Sequence, residues 1–309
     1  MAKRLARDKA RHDRAALRAE SVNASSSDVS ELRTRIAALT ECHHIDYDPT
    51  DWAAVAARGE VERPVRASIN EAAARKALAG YRPSLIERLF GLDQDRRRAL
   101  TARVAEAASK DEAAYRAARK VADDHNAEVQ FAVRLLELDV RTINTSLAEN
   151  TSLDDVGPAI EGLRLHVPTR GRLVAVVSGL ELEDMPDEEI VVSAARAVFR
   201  PLSRSAMAEL HRRNLCSAAL RVAAEVLSAC PVEWVEVVLE CDITDRINQQ
   251  VERAPVLHVK IGHRALVDMA LETVDPVQAV TDFGARMNWS PAEGCEPIET
   301  PDLALPVAA

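Results

Sequence analysis

The chain has 309 residues, of which 47% are hydrophobic and 29% charged, and a formal net charge of -9. This is the composition of a globular protein with room for two folding units, and the acidic balance excludes a protein whose whole surface grips phosphate. No stretch reaches the roughly 18 to 20 uncharged apolar residues that a bilayer span needs, and the N-terminus holds no run suited to a signal peptide, so a cytoplasmic location and no membrane partner are expected.

Only 3% of the residues are aromatic, and alanine supplies much of the apolar content, which favours helices and thin interfaces over a bulky core. The five cysteines, Cys42, Cys216, Cys230, Cys241 and Cys295, stand singly and are odd in number. That pattern fits reduced, packed thiols better than a disulfide scaffold or a zinc ribbon.

Residues 1–26 are expected to be a basic flexible segment, with seven Lys/Arg against three acids between Met1 and Val22. It reads as a solvated helix or as an arm for an anionic partner. Asp28 and Glu31 then resemble a capping box, and Val29, Leu32, Ile36 and Leu39 follow at helical spacing. Residues 40–66 keep no period and are expected to wrap over a neighbouring element, anchored by Tyr47 and Trp52. Short helices are expected from Asn70 to Leu78 and from Pro83 to Phe90, with Leu85, Leu89 and Phe90 in a shared apolar seam.

From Asp93 to Asn150 a near-heptad stripe runs through Leu100, Val104, Ala107, Ala114, Ala118, Val121, Val129, Ala132 and Leu136, continuing to Val140, Ile143 and Leu147. No Pro or Gly interrupts it, so one coiled-coil-like helix, or two nearly collinear ones, is expected to use those residues as an interface with its own chain or a second copy. Asp111 and His125 fill gaps in the stripe and either specify register or mark where the partner helix ends.

Beyond Thr151 the pattern becomes strand-like. A hairpin is expected from Gly162–Val167 and Arg172–Val177, then a strand at Glu189–Ser193 and a helix at Ser205–Ala229. Strands at Glu233–Cys241 and Val256–Ile261 follow, with short helices at His263–Leu271 and Pro276–Met287. The fold class is α+β: an alanine-rich helical region over 27–150, a small mixed α/β domain over 151–290, and a Pro-rich tail over 291–309.

Signals for chemistry are few. Cys42-His43-His44 with Asp46 is the tightest group of metal-ligand types, but adjacent side chains diverge, so a structural role at a helix end is expected instead of a zinc site. Cys216 has His211 five residues away, off its helical face, and is expected to pack as an apolar residue. There is no GxGxxG, GxxxxGK[ST] or GxSxG, so no cofactor is expected. One alternative is a divergent metal-dependent nuclease, in which Glu240 and Asp242 at the end of one strand and Lys260 on the next would hold Mg²⁺ and orient water.

The strings Ala77-Leu78-Ala79-Gly80-Tyr81-Arg82-Pro83-Ser84, Leu89-Phe90-Gly91-Leu92 and Cys216-Ser217-Ala218-Ala219-Leu220-Arg221 resemble those of uncharacterised bacterial proteins that join an N-terminal helical region to a small C-terminal α/β domain. The likeness covers 40 to 290 and implies a bacterial cytoplasmic origin, with no activity or ligand attached. The reading that best fits these features is a non-enzymatic protein-protein interaction or scaffold protein, with itself as a homodimer or another helical protein as partner. Nucleic acid is the partner under the nuclease alternative.

Overall fold

A computed structural model describes residues 26–169, 172–193, 196–244 and 251–299. The basic segment from Met1 to Val22 and the end of the Pro-rich tail lie outside the described residues. The protein is α+β, with helices first and a sheet later, and forms two compact units: Asp51–Asp139, and the chain on either side of it. Residues 27–50 and 140–150, expected as parts of the helical region, belong to the sheet-bearing unit.

The helical unit contains α2 (Trp52–Ala57), α3 (Ile69–Ala79), α4 (Leu85–Leu89) and α5 (Leu92–Leu136). The 45 residues of α5 make a rod of about 68 Å at 1.5 Å per residue. Such a rod owes its stability to packing, and α2, α3 and α4 all lie against it. Trp52 is buried and meets Phe131 with ring centroids 5.6 Å apart.

The buried line on α5 runs through Leu100, Asp111, Ala122, Val129, Ala132 and Leu135. Val104 and Ala107 of the expected stripe are half-buried, whereas Ala114, Ala118, Val121 and Leu136 are exposed. A strict heptad drifts by about 20° per repeat against a helix of 3.6 residues per turn, so the true face steps from Asp111 to Ala122 in eleven residues instead of following Ala114, Ala118 and Val121.

The two polar residues on the stripe hold other parts of this unit. Residues 58–66 run along α5 as a strap: Arg58 pairs with Glu128, His125 Nε2 meets the Gly59 carbonyl at 2.9 Å, Asn126 bonds both the N–H and C=O of Val61, and Arg63 pairs with Asp123. At its end Asp111 accepts from the backbone N–H groups of Asn70 (3.2 Å) and Glu71 (2.8 Å) and from the Asn70 side chain. Ser68, the residue at the N-cap of α3, makes no side-chain cap bond. The carboxylate of α5 therefore caps α3 from outside.

Those backbone bonds hold the Asp111 pKa below its ordinary value, so its stabilisation is present above the unfolded carboxylate range and lost as pH falls through the depressed value. Asp111→Asn is expected to lower the melting temperature at neutral pH and to cost nothing at pH values where the wild-type carboxyl is protonated. Thermal melts followed by circular dichroism across that range check it.

α5 ends without glycine or proline. Leu138 takes φ 57°, the Asp139 N–H bonds the Arg134 carbonyl and the Leu138 N–H bonds that of Leu135, a Schellman closure with leucine in the left-handed position. The stripe therefore breaks there, and α6 (Val140–Glu149) starts anew with Ile143 and Leu147 buried.

The sheet-bearing unit holds α1 (Ser26–Thr40), α6, β1 (Ile160–Thr169), β2 (Arg172–Gly179), β3 (Glu188–Ser193), β4 (Arg196–Pro201), α7 (Arg204–Ala229), β5 (Trp234–Thr244), β6 (Val251–Gly262), α8 (His263–Val267), α9 (Pro276–Asp282), β7 (Arg286–Ser290) and β8 (Gly294–Glu296). α1 begins at Ser26, so Asp28 lies in its first turn, where the carboxylate suits the helix dipole. The main sheet has the order β1-β2-β5-β6-β7-β8, with β2 and β5 parallel and the chain between them passing through α7. The β3-β4 pair is a separate ribbon.

The helix expected to reach Met287 stops at Asp282, because Gly284 at φ 74° turns the chain into β7. On one sheet face Leu173, Ala175, Val177, Val235, Val237, Leu239, Val259 and Ile261 are buried under α7, itself buried on nearly every side. Val174, Val176 and Val238 form a second buried cluster on the other face.

Candidate functional site

The strand register decides what the acid and lysine side chains of the sheet can do together. Asp242 lies opposite Arg253 and Glu240 opposite Pro255, but Lys260 lies opposite Glu236. Six residues of strand separate Glu236 from Asp242, about 20 Å at the usual rise. Glu240 pairs with Arg164 at 2.9 Å and Asp242 with Arg253 at 3.3 Å, while Lys260 Nζ sits 3.6 Å above the Trp234 ring. The register thus brings Glu240 and Asp242 to one end of the strand pair and Lys260 to the other. Among the described residues no three His, Cys, Asp or Glu side chains gather as ligands of one metal ion.

Near Lys260 a different cluster forms, which spacing within one strand did not reveal. Glu236 receives Arg172 at 3.2 Å and has His258 Nε2 at 3.5 Å. Burial pushes the His258 pKa down, against the pull of Glu236. The cluster is an ion pair on the sheet face, between β2, β5 and β6.

A second polar arrangement lies on α7. His211, Asn214, Ser217, Arg221 and Glu225 recur at helical spacing and are all buried, so they form a polar stripe down a core helix. Each reaches a different passing segment. His211 Nε2 donates to the Leu180 carbonyl at 2.8 Å, and the Asn214 amide donates to the carbonyls of Leu39 and Ala159. Arg221 pairs with Glu225 at 2.9 Å and donates to the Cys42 carbonyl, and Glu225 accepts from the N–H and hydroxyl of Ser152.

Ser217 and His43 make what resembles a nucleophile-base pair, with Ser217 Oγ 2.7 Å from His43 Nδ1. The tautomer follows from the other side of the ring: Nε2 lies 3.1 Å from the Val274 carbonyl, which only accepts, so Nε2 carries the proton and Nδ1 accepts the serine hydroxyl. Ser217 Oγ in turn accepts from the His43 N–H and lies 3.1 Å from the Cys42 thiol. With Ser217 at 0% and His43 at 1% exposure, no substrate reaches this oxygen, and its bonding capacity is filled by the chain itself. The pair pins the segment after α1 to the core helix, whereas the expected role was to cap the end of α1.

Cys216, buried at 1% exposure, has its pKa pushed up to about 12 by burial, so it is neither a thiolate nor a partner of His211. A groove of about 800 Å³ beside α1 is lined by Ser27, Glu31, Thr34, Arg35, Glu161 and Asp184. Arg35 is occupied there by the Asp184 carbonyl at 3.1 Å.

The remaining feature is at α4. Ser84 and Glu87 form a capping box, Gly91 at φ 66° ends the turn, and α5 starts at Leu92. The short helix is thus well specified, yet it is inside out: Glu87 is half-buried, whereas Leu85, Ile86, Leu89 and Phe90 are exposed at 84, 68, 82 and 70%. The apolar seam expected there between helices does not form, because Leu85, Leu89 and Phe90 point to water. Comparison of the chain with family models, with curated proteins and with solved structures finds no match among any of the three.

Proposed function

We propose that the protein is a non-enzymatic interaction protein of the cytoplasm, whose helical unit carries a docking surface at α4. The observation that carries this reading is the outward apolar face of α4, since four large apolar side chains turned to water on one short helix form an exposed patch of the kind that marks an interaction surface. The exposed residues Ala114, Ala118, Val121 and Leu136 along α5 support it as a further strip for a partner helix. The serine, histidine and cysteine side chains that resemble catalytic groups are committed to holding the sheet-bearing unit together.

The test separates docking from folding. Leu89→Asp/Phe90→Asp is expected to leave the melting temperature within about 0.5 kcal/mol equivalent of wild type, because both side chains are in water. The same double variant is expected to move the protein in cell extracts from a sedimenting assembly to a freely soluble fraction. Equal sedimentation of the two forms would overturn the proposal. Under the nuclease alternative the purified chain would cleave DNA or RNA with Mg²⁺ and lose that cleavage in Asp242→Ala.

A further inference from the structure

The residues around α4 carry a net positive charge. From Arg82 to Arg103 there are six arginines against three acids, a local excess of three positive charges in a chain of net charge -9. The acids are partly spent within the chain: Glu87 accepts from the Ser84 N–H at 2.7 Å in the capping box, and Asp95 lies 3.7 Å from Arg98. Arg82, Arg88, Arg96 and Arg97 are exposed.

At about 100° per residue, Leu85, Ile86, Leu89 and Phe90 span an arc of roughly 140°. Leu92, 52% exposed, follows directly after Gly91. This apolar face lies on one short helix, with Arg88 exposed on the same helix and Arg82 exposed just before it, in a stretch of chain with an excess of arginine.

We propose that this face docks onto an anionic lipid surface, with Leu85, Ile86, Leu89 and Phe90 entering the interface and the flanking arginines meeting headgroup phosphates. It rests on the reading of α4 as a docking surface and assigns what covers it. A second copy of the chain is disfavoured, because pairing this stretch with itself would set two like positive charges together. A bilayer surface meets both needs at once, taking apolar side chains at the headgroup boundary and attracting basic residues beside them. Such binding is peripheral, and it departs from the expectation of no membrane partner, which rested on the lack of a spanning segment. No helix among the described residues is long and apolar enough to cross a membrane.

Co-flotation of the full chain with vesicles tests this. Vesicles of phosphatidylethanolamine with phosphatidylglycerol are expected to carry the protein up the gradient, and vesicles of phosphatidylcholine alone are expected to bind at least about tenfold less. Arg82→Ala/Arg88→Ala/Arg97→Ala is expected to weaken anionic binding by about 100-fold, at roughly fivefold per arginine, and raised salt should do the same. Leu89→Asp/Phe90→Asp should abolish binding with an unchanged circular dichroism spectrum.

Absence of binding to anionic vesicles overturns the lipid assignment, as does binding that the two aspartates leave intact. If vesicles are not bound but the aspartates still release the protein from its sedimenting assembly, an acidic protein surface is the partner, and only the docking reading stands. If neither measurement responds to the aspartates, both readings fall.

Discussion

Replacing Arg221 by alanine is expected to lower the unfolding free energy by about 3–5 kcal/mol, read from urea denaturation followed by circular dichroism. Both partners of the Arg221-Glu225 pair are buried, with side chains 11% and 9% exposed. The alanine variant leaves the Glu225 carboxylate in the core with only Ser152 as donor, and it strips the Cys42 carbonyl of its guanidinium partner. The cost is that of an uncompensated buried charge, so Arg221→Met/Glu225→Leu, which removes both charges, is expected to be less harmful than Arg221→Ala alone. A loss below about 1 kcal/mol would mean that water reaches the pair and that the stripe on α7 contributes no more than a surface bridge does.

Stability is also expected to fall steeply once pH drops below about 6.5, the ordinary histidine value, with its largest slope at mildly acidic pH. Burial pushes the pKa values of His43, His211 and His258 below that value. The unfolded chain then binds protons that the folded chain refuses, so stability is full above the unfolded pKa and is lost as pH falls toward the lowered folded ones. Each histidine contributes at most about 1.4 kcal/mol per pH unit, and three together about 4. The geometry explains the refusal. Nδ1 of His43 accepts from Ser217, and a protonated ring would turn that acceptor into a donor facing an oxygen whose proton already points at it. Chemical denaturation at a series of pH values gives the slope, and a flat profile from neutral to about pH 5 would show that these rings are charged in the fold.

The sequence was legible where one principle dominates. Strands β2, β5 and β6 announce themselves through β-branched runs, and α7 and α3 through periodicity with clear stops. The hairpin β1-β2 follows from its turn residues. One helix end and three strands are among the features that escaped, for definite reasons. The end of α5 uses Leu138 in a conformation that usually marks glycine, so no composition signal exists. β7 and β8 follow a glycine turn inside what reads as a continuing helix. β4 is a short run, Arg196–Pro201, with a proline at its end.

Of the site features, the apolar residues of α4 were visible as residues, but their outward orientation was not, since periodicity locates a face without saying what it faces. The polar stripe from His211 to Glu225 had a readable signal in its spacing of three and four. It was obscured because Leu215, Val222 and Val226 carry an equally clear apolar face, and only burial on both sides shows that the helix is a core element. The distance of Lys260 from Asp242 depends on register, which in an antiparallel pair is fixed by partners across the ladder and not by the spacing within either strand.

The helical unit Asp51–Asp139 interrupts the chain of the other unit, and this sets an order of events on the ribosome. His43 waits for Ser217, 174 residues later, which at about 5–20 residues per second is a delay of roughly 9 to 35 s. All of α2 to α5 is synthesised within that interval from contacts that close locally. The helical unit is therefore synthesised in full, with every local contact that it needs, before the sheet-bearing unit has its core helix, and the surface proposed for docking precedes that core in the order of synthesis.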